Sequence, residues 1–142
     1  MLILLTQINW LAVVLAGIAA LVIGIIWYLP PVFGTRWAGF VKTYTGLSDA
    51  DLMPSNIPLT LGLWLLGFIA NALALALLIG GIEIGNVGDG ILLGVAVWAG
   101  FGLTLSSWPV IHAKQPPGLW LVNGAAYLLM QIVMSVILTL WR

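Results

Sequence analysis

Four long runs of apolar residues, separated by shorter polar segments, dominate the pattern of hydrophobic and polar positions along the chain. The runs cover residues 8–29, 59–79, 91–110 and 119–140, and none contains Asp, Glu, Lys or Arg. At about 1.5 Å per residue, a helix of each length crosses the roughly 30 Å hydrocarbon core of a bilayer. Since backbone groups there must bond to one another and the runs lack strand-like alternation, we predict four transmembrane α-helices.

Residues that start and end helices lie between these runs. Proline cannot continue a helical hydrogen-bond ladder, so Pro30-Pro31 should end the first helix. Asn56 and Asp89 accept hydrogen bonds well at helix starts, so we expect them to begin the second and third helices. Gly80-Gly81 is typical of a helix end and closes the second run. These residues therefore agree with separate helices.

Aromatic residues in the first loop predict a further, shorter helix. Phe33, Trp37, Phe40 and Tyr44 recur at spacings of four, three and four residues, which places them on one face of a helix. Such a helix, over about residues 32–45, would lie in the membrane interface. The pattern thus predicts an all-α, polytopic integral membrane protein with four transmembrane helices plus one short interfacial amphipathic helix.

Composition supports a membrane location and narrows the possible chemistry. Of the 142 residues, 63% are hydrophobic and 6% are charged, whereas soluble domains average about 25% charged residues. We expect a single domain over residues 1–142, embedded in the lipid bilayer and holding bound lipid. The four acidic residues balance the four basic ones, so no excess positive charge would attract nucleic acid. The absence of cysteine excludes disulfides and thiolate chemistry.

Lysine and arginine residues in the loops predict how the protein is oriented. The first loop carries Arg36 and Lys42 and the third carries Lys114, whereas the opposite side carries only Arg142. Positively charged short loops tend to remain in the cytoplasm. We therefore expect the first and third loops to be cytoplasmic, and both termini to lie outside the cell's inner (plasma) membrane.

Two predicted helices carry small residues at four-residue intervals. These residues are Ala12, Ala16, Ala20 and Gly24 in the first helix, and Gly90, Gly94 and Gly102 in the third. Trp98 interrupts the second series. Small side chains let two helix backbones approach closely, which is how membrane helices gain packing contacts. We interpret both series as helix-packing surfaces.

The fourth predicted helix carries a line of polar side chains. The line consists of Asn123, Tyr127, Gln131, Ser135 and Thr139, which follow one another every four residues. Asn71, midway along the second helix, is the expected polar counterpart, and Trp98 is an aromatic residue in mid-span. Interhelical hydrogen bonds contribute about 0.6–2 kcal/mol to packing. The line is therefore either a set of contacts that hold helices together or the lining of a path for substrate or water.

Few residues are suited to catalysis or metal binding. His112, the only histidine, lies just past the third run and is either an exposed loop residue or a ligand for a pigment metal. Glu83 and Asp89 flank the second loop, where carboxylates typically face water and cap a helix. The sequence shows no phosphate loop, nucleophile–base pair or cluster of metal ligands. We therefore expect a protein that is not an enzyme and has no metal or catalytic cofactor.

Short motifs along the chain resemble those of a known family. They are Asn9-Trp10, residues 27–34 followed by Trp37, Gly46-Leu47 before the acidic residues 48–51, residues 98–101, and Asn123 with Tyr127. On these motifs the chain resembles the bacterial four-helix membrane family catalogued as domain of unknown function 1761. The resemblance implies a four-helix topology and no particular activity. It also implies that Asn123 and Tyr127 belong to a shared pattern.

Three hypotheses for a non-catalytic function follow. Small-residue ridges, interfacial tryptophans and short loops favour an accessory packing subunit of a larger respiratory, photosynthetic or transport complex, bound to other membrane subunits or to itself. The first alternative is a small homo-oligomeric transporter or channel with a polar path along the fourth helix. The second alternative is a pigment- or lipid-binding membrane protein that uses His112 and nearby aromatic residues.

Overall fold

The computed structural model describes residues 6–141, which form helices joined by short turns and one longer loop. The α-helices are α1 (Trp10–Trp27), α2 (Thr35–Thr45), α3 (Ile57–Gly81), α4 (Val87–Val97), α5 (Thr104–His112) and α6 (Pro117–Leu140). Two π-helical turns, Pro30–Gly34 and Trp98–Leu103, precede α2 and join α4 to α5. Arg142, which entered the orientation prediction, lies outside the described residues.

Four helical stretches are long and apolar enough to cross a membrane. They are α1, α3, the continuous stretch Val87–His112 that contains α4 and α5, and α6. No strand occurs within residues 6–141. The predicted all-α fold with four membrane-crossing helices is therefore confirmed, and it is the fold of a multi-pass membrane protein. The short helix α2 occupies the first loop.

Asparagine side chains begin three of the helices. Asn9, Asn56 and Asn86 each accept a hydrogen bond from the backbone N–H three residues later, at 3.1, 3.0 and 2.9 Å. The helix start expected at Asp89 was wrong, because Asn86 caps this span and Asp89 lies in its first turn. The Asp89 carboxylate accepts the Asn86 side-chain amide at 2.6 Å, so the two side chains fix each other and the helix begins at Val87.

A π-helical turn interrupts the third span, which the pattern had predicted as one regular helix. The Thr104 hydroxyl donates to the carbonyl of Ala99, five residues earlier, at 3.0 Å. Within this wider turn, the Trp98 indole N–H reaches α6 and donates to the Gly124 carbonyl at 2.8 Å. A π-helical turn inserts an extra residue into the helical repeat. Residues after this turn therefore no longer lie on the ridge that the residues before the turn form.

The aromatic face of α2 packs partly on the protein itself. The ring of Phe33, just before α2, stacks on Trp27 at the end of α1, with centroids 4.4 Å apart. Phe40 lies directly against Gly118 at the start of α6, where an added Cβ would collide with the ring. Gly46, with φ of +75°, ends α2 in the left-handed conformation that favours glycine. The helix is thereby attached to both α1 and α6.

Helix α6 is the centre of the fold and packs against α1, α3 and α4. Helices α1 and α3 approach each other closely at Gly17, where an added Cβ would lie 3.0 Å from the backbone nitrogen of Ile69. The core residues are Ala12, Val13, Ala16, Ala20, Ala72, Leu75, Ile79, Ile84, Leu119, Ala126, Met130, Met134 and Leu138. The third span packs mainly on α6 and leaves most of its surface facing outward. The fold is thus a three-helix group of α1, α3 and α6, with the third span beside α6.

Candidate functional site

The small-residue ridges lie at helix contacts. The four predicted packing residues of α1, namely Ala12, Ala16, Ala20 and Gly24, are all buried. Gly90 and Gly94 are buried against α6, and a Cβ added to Gly94 would lie 2.9 Å from the Gln131 carbonyl oxygen. A Cβ added to Gly102 would meet Trp98 of its own span, and no described atom of another helix within 4 Å. The structure therefore brings Gly90 and Gly94, but not Gly102, onto a neighbouring helix.

The C-terminal part of the α6 polar line fills the contact with α4. Ser135 is buried, and its hydroxyl oxygen would lie 3.0 Å from a Cβ added to Gly94. Thr139 lies against Gly90 and donates its hydroxyl to the Ser135 carbonyl at 2.8 Å. Because glycine opposite these side chains lets the two backbones come close, this part of the line contributes to packing.

Gln131 connects the polar line to α3 in the middle of the bundle. Its Nε2 donates to Oδ1 of Asn71 at 3.3 Å, which joins the two residues that the sequence suggested as counterparts. The other amide atom of Gln131, Oε1, is buried and has no hydrogen-bond partner within residues 6–141. An unpaired buried acceptor costs about 1–3 kcal/mol. The pair therefore contributes little net stability.

The N-terminal part of the polar line faces a cleft between α1, α3 and α6. Asn123 and Tyr127 of α6, Asn71 of α3 and Tyr28 at the end of α1 line this cleft, which has a volume of about 660 Å³. Its other lining residues are Gly24, Trp37, Leu52, Pro54, Leu63, Trp64, Gly67, Phe68 and Met130. We call this feature the α1–α3–α6 cleft and take it as the candidate functional site.

The α1–α3–α6 cleft lies at the end of the bundle where the first and third loops join the helices. Its walls are the last turns of α1 and the first halves of α3 and α6. Trp37 of α2 and Pro54 of the following loop stand at this end. The Trp37 ring meets the Tyr28 ring edge-on, with centroids 5.6 Å apart. The cleft reaches inward as far as Asn71 and Met130, near the middle of the bundle.

Hydrogen bonds from aromatic side chains hold the polar wall of the cleft. The Tyr28 hydroxyl donates to Oδ1 of Asn123 at 2.8 Å. The indole N–H groups of Trp27 and Trp98 donate to the backbone carbonyls of the residues just before and just after Asn123, at 3.2 and 2.8 Å. Trp98 thus acts behind the cleft wall and is not one of its lining residues. Together these bonds fix the turn of α6 that presents Asn123.

A known protein family matches almost the whole chain. The family model described as "Protein of unknown function (DUF1761)" matches residues 11–139. The chain belongs to the DUF1761 family. This confirms the resemblance carried by the short motifs, and the matched residues include every one that lines the cleft. Neither a curated protein nor a solved structure matches this DUF1761 protein.

His112 of this DUF1761 protein lies apart from the cleft. Its ring is exposed and sits 3.9 Å from the Trp108 ring, centroid to centroid. Within residues 6–141, no group of three or more His, Asp or Glu side chains is placed to hold a metal ion. His112 is not among the lining residues of the α1–α3–α6 cleft. Pigment binding at His112 stays a prediction.

A smaller cavity of about 300 Å³ lies at the opposite end of the same three helices, beside Asn9 and Glu83. The core between the two cavities is closed by buried side chains such as Leu75 and Met134. The polar line does not bridge this gap, because Ser135 lies against α4. Within residues 6–141 of this DUF1761 protein, therefore, the polar line of α6 does not join one cavity to the other.

Sequence reasoning missed several residues of the cleft. Trp37 was expected on the interfacial helix and Trp64 among the interfacial tryptophans, whereas Tyr28 and Gly67 had no predicted role. The structure places all four in the cleft lining. The local signal in the sequence was Tyr28, a side chain with a polar hydroxyl two residues before the Pro30-Pro31 pair. The grouping depends on how α1, α2 and α3 cross one another, and hydrophobic periodicity contains no information about those crossings.

Proposed function

We propose that this protein binds a lipid-soluble small molecule in the α1–α3–α6 cleft. One observation carries the proposal: Asn71, Asn123 and Tyr127 come from two helices and share a cavity of about 660 Å³ whose other lining residues are mainly aromatic or apolar. Small-molecule sites are typically cavities of about 300–1,000 Å³ with mostly apolar walls and a few polar groups that orient the ligand.

The rims of the cleft support entry from the bilayer. Leu63 and Trp64 on α3 are 59% and 46% exposed, and Tyr127 on α6 is 45% exposed. In a protein that crosses a membrane, such side chains face lipid. A ligand with a hydrophobic tail would therefore reach the polar groups of the cleft from the membrane, without its tail crossing water.

Filling the cleft tests the proposal. Gly67 lines the cleft, and a Cβ added there has no neighbour within 4 Å, so Gly67→Phe puts a ring into the cleft without displacing the backbone. We expect native mass spectrometry of the wild-type protein, extracted in mild detergent, to show a bound small molecule. The Gly67→Phe variant should lose it while keeping the wild-type unfolding temperature.

The matched control is Gly62→Phe. Gly62 lies on the same helix, is exposed, has no neighbour within 4 Å of an added Cβ, and is outside the cleft lining. This variant should keep the bound molecule. Retention of the molecule by Gly67→Phe, or its loss from both variants alike, would contradict binding in the cleft.

The accessory-subunit hypothesis is a second candidate, supported by the third span. This span packs mainly on α6, and its outward side chains Phe101, Leu105 and Trp108 are 65%, 73% and 67% exposed. A helix of another subunit would bury such a surface. Under this hypothesis, gentle extraction yields a complex with other subunits in fixed ratio, and the double variant Phe101→Ala, Leu105→Ala releases them. Recovery of the wild-type protein alone in native lipid would rule this hypothesis out.

We further propose that the inner (plasma) membrane holds the protein, with the first and third loops in the cytoplasm. The support is the position of Arg36, Lys42 and Lys114 in those loops. This orientation puts the loop end of the α1–α3–α6 cleft at the cytoplasmic face.

A further inference from the structure

The two amide side chains in the cleft present their N–H groups to a ligand. Oδ1 of Asn123 accepts from the Tyr28 hydroxyl at 2.8 Å, and Oδ1 of Asn71 accepts from Nε2 of Gln131 at 3.3 Å. Both amide oxygens are thus engaged by the protein's own donors. Neither Nδ2 atom has a hydrogen-bond partner among residues 6–141, so the NH₂ end is the free end of each amide.

Aromatic residues in the cleft add more donors. The Trp37 and Trp64 indole N–H groups and the Tyr127 hydroxyl form no hydrogen bond within the described part of the chain. An indole can only donate, whereas a tyrosine hydroxyl can donate and accept. Among the free side-chain groups of the cleft, acceptor capacity is therefore limited to tyrosine oxygens. Such a surface complements a ligand rich in hydrogen-bond acceptors.

The cleft carries no charge. Its lining contains no Asp, Glu, Lys, Arg or His. A charged head group would give up its hydration without meeting an opposite charge, which is strongly unfavourable away from water. A neutral acceptor, such as a carbonyl or ester oxygen, loses less hydration free energy on leaving water. Hydrogen bonds from the free N–H and O–H donors of the cleft compensate for that loss.

The geometry points to a neutral, lipid-soluble ligand whose head group carries carbonyl or ester oxygens, the chemistry that membrane quinones and diacylglycerols share. This inference rests on the proposed function, because it specifies the ligand of the same cleft. The head group accepts hydrogen bonds from Asn71 and Asn123, deep in the cleft. The hydrophobic tail leaves past the exposed Leu63 and Tyr127 toward the bilayer.

Four probes test this ligand class on the full-length protein in nanodiscs, with empty nanodiscs as the reference for partitioning into lipid. Decylubiquinone supplies ring carbonyls and dioctanoylglycerol supplies esters. Decylbenzene has a comparable tail without acceptors, and decanoate carries a charge. We expect at least one of the two acceptor probes to bind about tenfold more tightly than decylbenzene and decanoate. Tighter binding of decylubiquinone would indicate that the head-group oxygens of the ligand belong to a quinone-like ring. Tighter binding of dioctanoylglycerol would indicate that they belong to an ester.

Two variants test the donors directly. Tyr127→Phe removes one hydroxyl from an exposed side chain, and Asn123→Ala removes the free NH₂ together with the oxygen that accepts from Tyr28. Each substitution should weaken the binding of the tighter-binding acceptor probe about tenfold at pH 8 and leave decylbenzene binding unchanged. Tyr44→Phe, on an exposed tyrosine outside the cleft, is the matched control and should change neither.

The contrary outcomes separate this inference from the proposed function. Equal binding of decylbenzene and the acceptor probes, with both lost in Gly67→Phe, would overturn the ligand class and leave a cleft that binds lipid. Tightest binding of decanoate would also overturn it, in favour of an anionic head group. Probe binding that survives unchanged in Gly67→Phe would overturn the proposed function itself.

Discussion

Gln131 divides the polar line of α6 into two parts, which the four-residue spacing in the sequence does not distinguish. Before it, Asn123 and Tyr127 line a cleft, and after it, Ser135 and Thr139 pack against glycines of α4. The four-residue spacing put all of these residues on one line, but spacing does not show which neighbour each residue meets. The difference arises because α6 has α1 and α3 on one side and α4 on another.

Gly94 is the residue whose substitution tests the α4–α6 contact. An added Cβ would lie 2.9 Å from the Gln131 carbonyl oxygen and 3.0 Å from the Ser135 hydroxyl oxygen, so even alanine must push the helices apart. We expect Gly94→Ala to lower the free energy of unfolding by about 1–3 kcal/mol, as overpacking generally does. Unfolding in detergent, followed by circular dichroism, measures the loss.

Gly62→Ala is the matched control for this substitution. Gly62 is exposed in the middle of a helix and has open space around an added Cβ. Alanine there should leave stability unchanged or raise it slightly, since it favours the helix by about 0.5–1 kcal/mol over glycine. If Gly94→Ala behaved like Gly62→Ala, the close α4–α6 packing would be wrong.

At the scale of elements, α2 makes a close contact with α6 at its centre. Phe40 packs on Gly118 at the start of α6 and has no room to shift toward it. We expect Phe40→Ala to speed amide hydrogen exchange in Thr35–Thr45, because α2 loses its anchor on the bundle. Exchange measured by mass spectrometry in detergent reports this change segment by segment.

A substitution on the free part of α2 provides the comparison. Tyr44 is exposed near the end of α2, so Tyr44→Ala should leave exchange in the rest of α2 at the wild-type rate. Equal acceleration by both substitutions would mean that lipid, and not α6, holds this helix.

Elements were predictable from the sequence where one strong signal decides them. Long uncharged runs predicted the four membrane-crossing helices. The π-helical turn Trp98–Leu103 was not predictable, because it depends on contacts such as the Trp98 bond to α6. The Asn86 cap was missed for a simpler reason: a charged Asp89 nearby offered an equally good start, and only three residues separate them.

At the scale of the whole molecule, the cleft follows from the way α3 and α6 both pack on α1. Helix α1 packs closely against both α3 and α6, whereas α3 and α6 contact each other less. The space left between them, below α2 and its following loop, is the α1–α3–α6 cleft. The sequence singled out Asn71, Asn123 and Tyr127 as candidate polar contacts, and it could not predict that all three would share a cavity.

Orientation is testable because the chain contains no cysteine. Single substitutions Ala50→Cys in the first loop and Gly85→Cys in the second lie at exposed positions. We expect a membrane-impermeant maleimide to label Gly85→Cys in intact cells, and to label Ala50→Cys only after the membrane is opened. The reverse pattern would contradict the orientation inferred from Arg36, Lys42 and Lys114.

The most direct test of ligand binding in the cleft is to map where a photoreactive lipid attaches. The probe is a decyl chain that carries a diazirine, applied to the full-length protein in nanodiscs, and the adducts are located by peptide mass spectrometry. We predict that adducts concentrate on residues 63–68 of α3 and 127–130 of α6, and that Gly67→Phe removes them while Gly62→Phe does not. Adducts spread evenly over the outward face of the third span, with no enrichment at the cleft, would contradict the account.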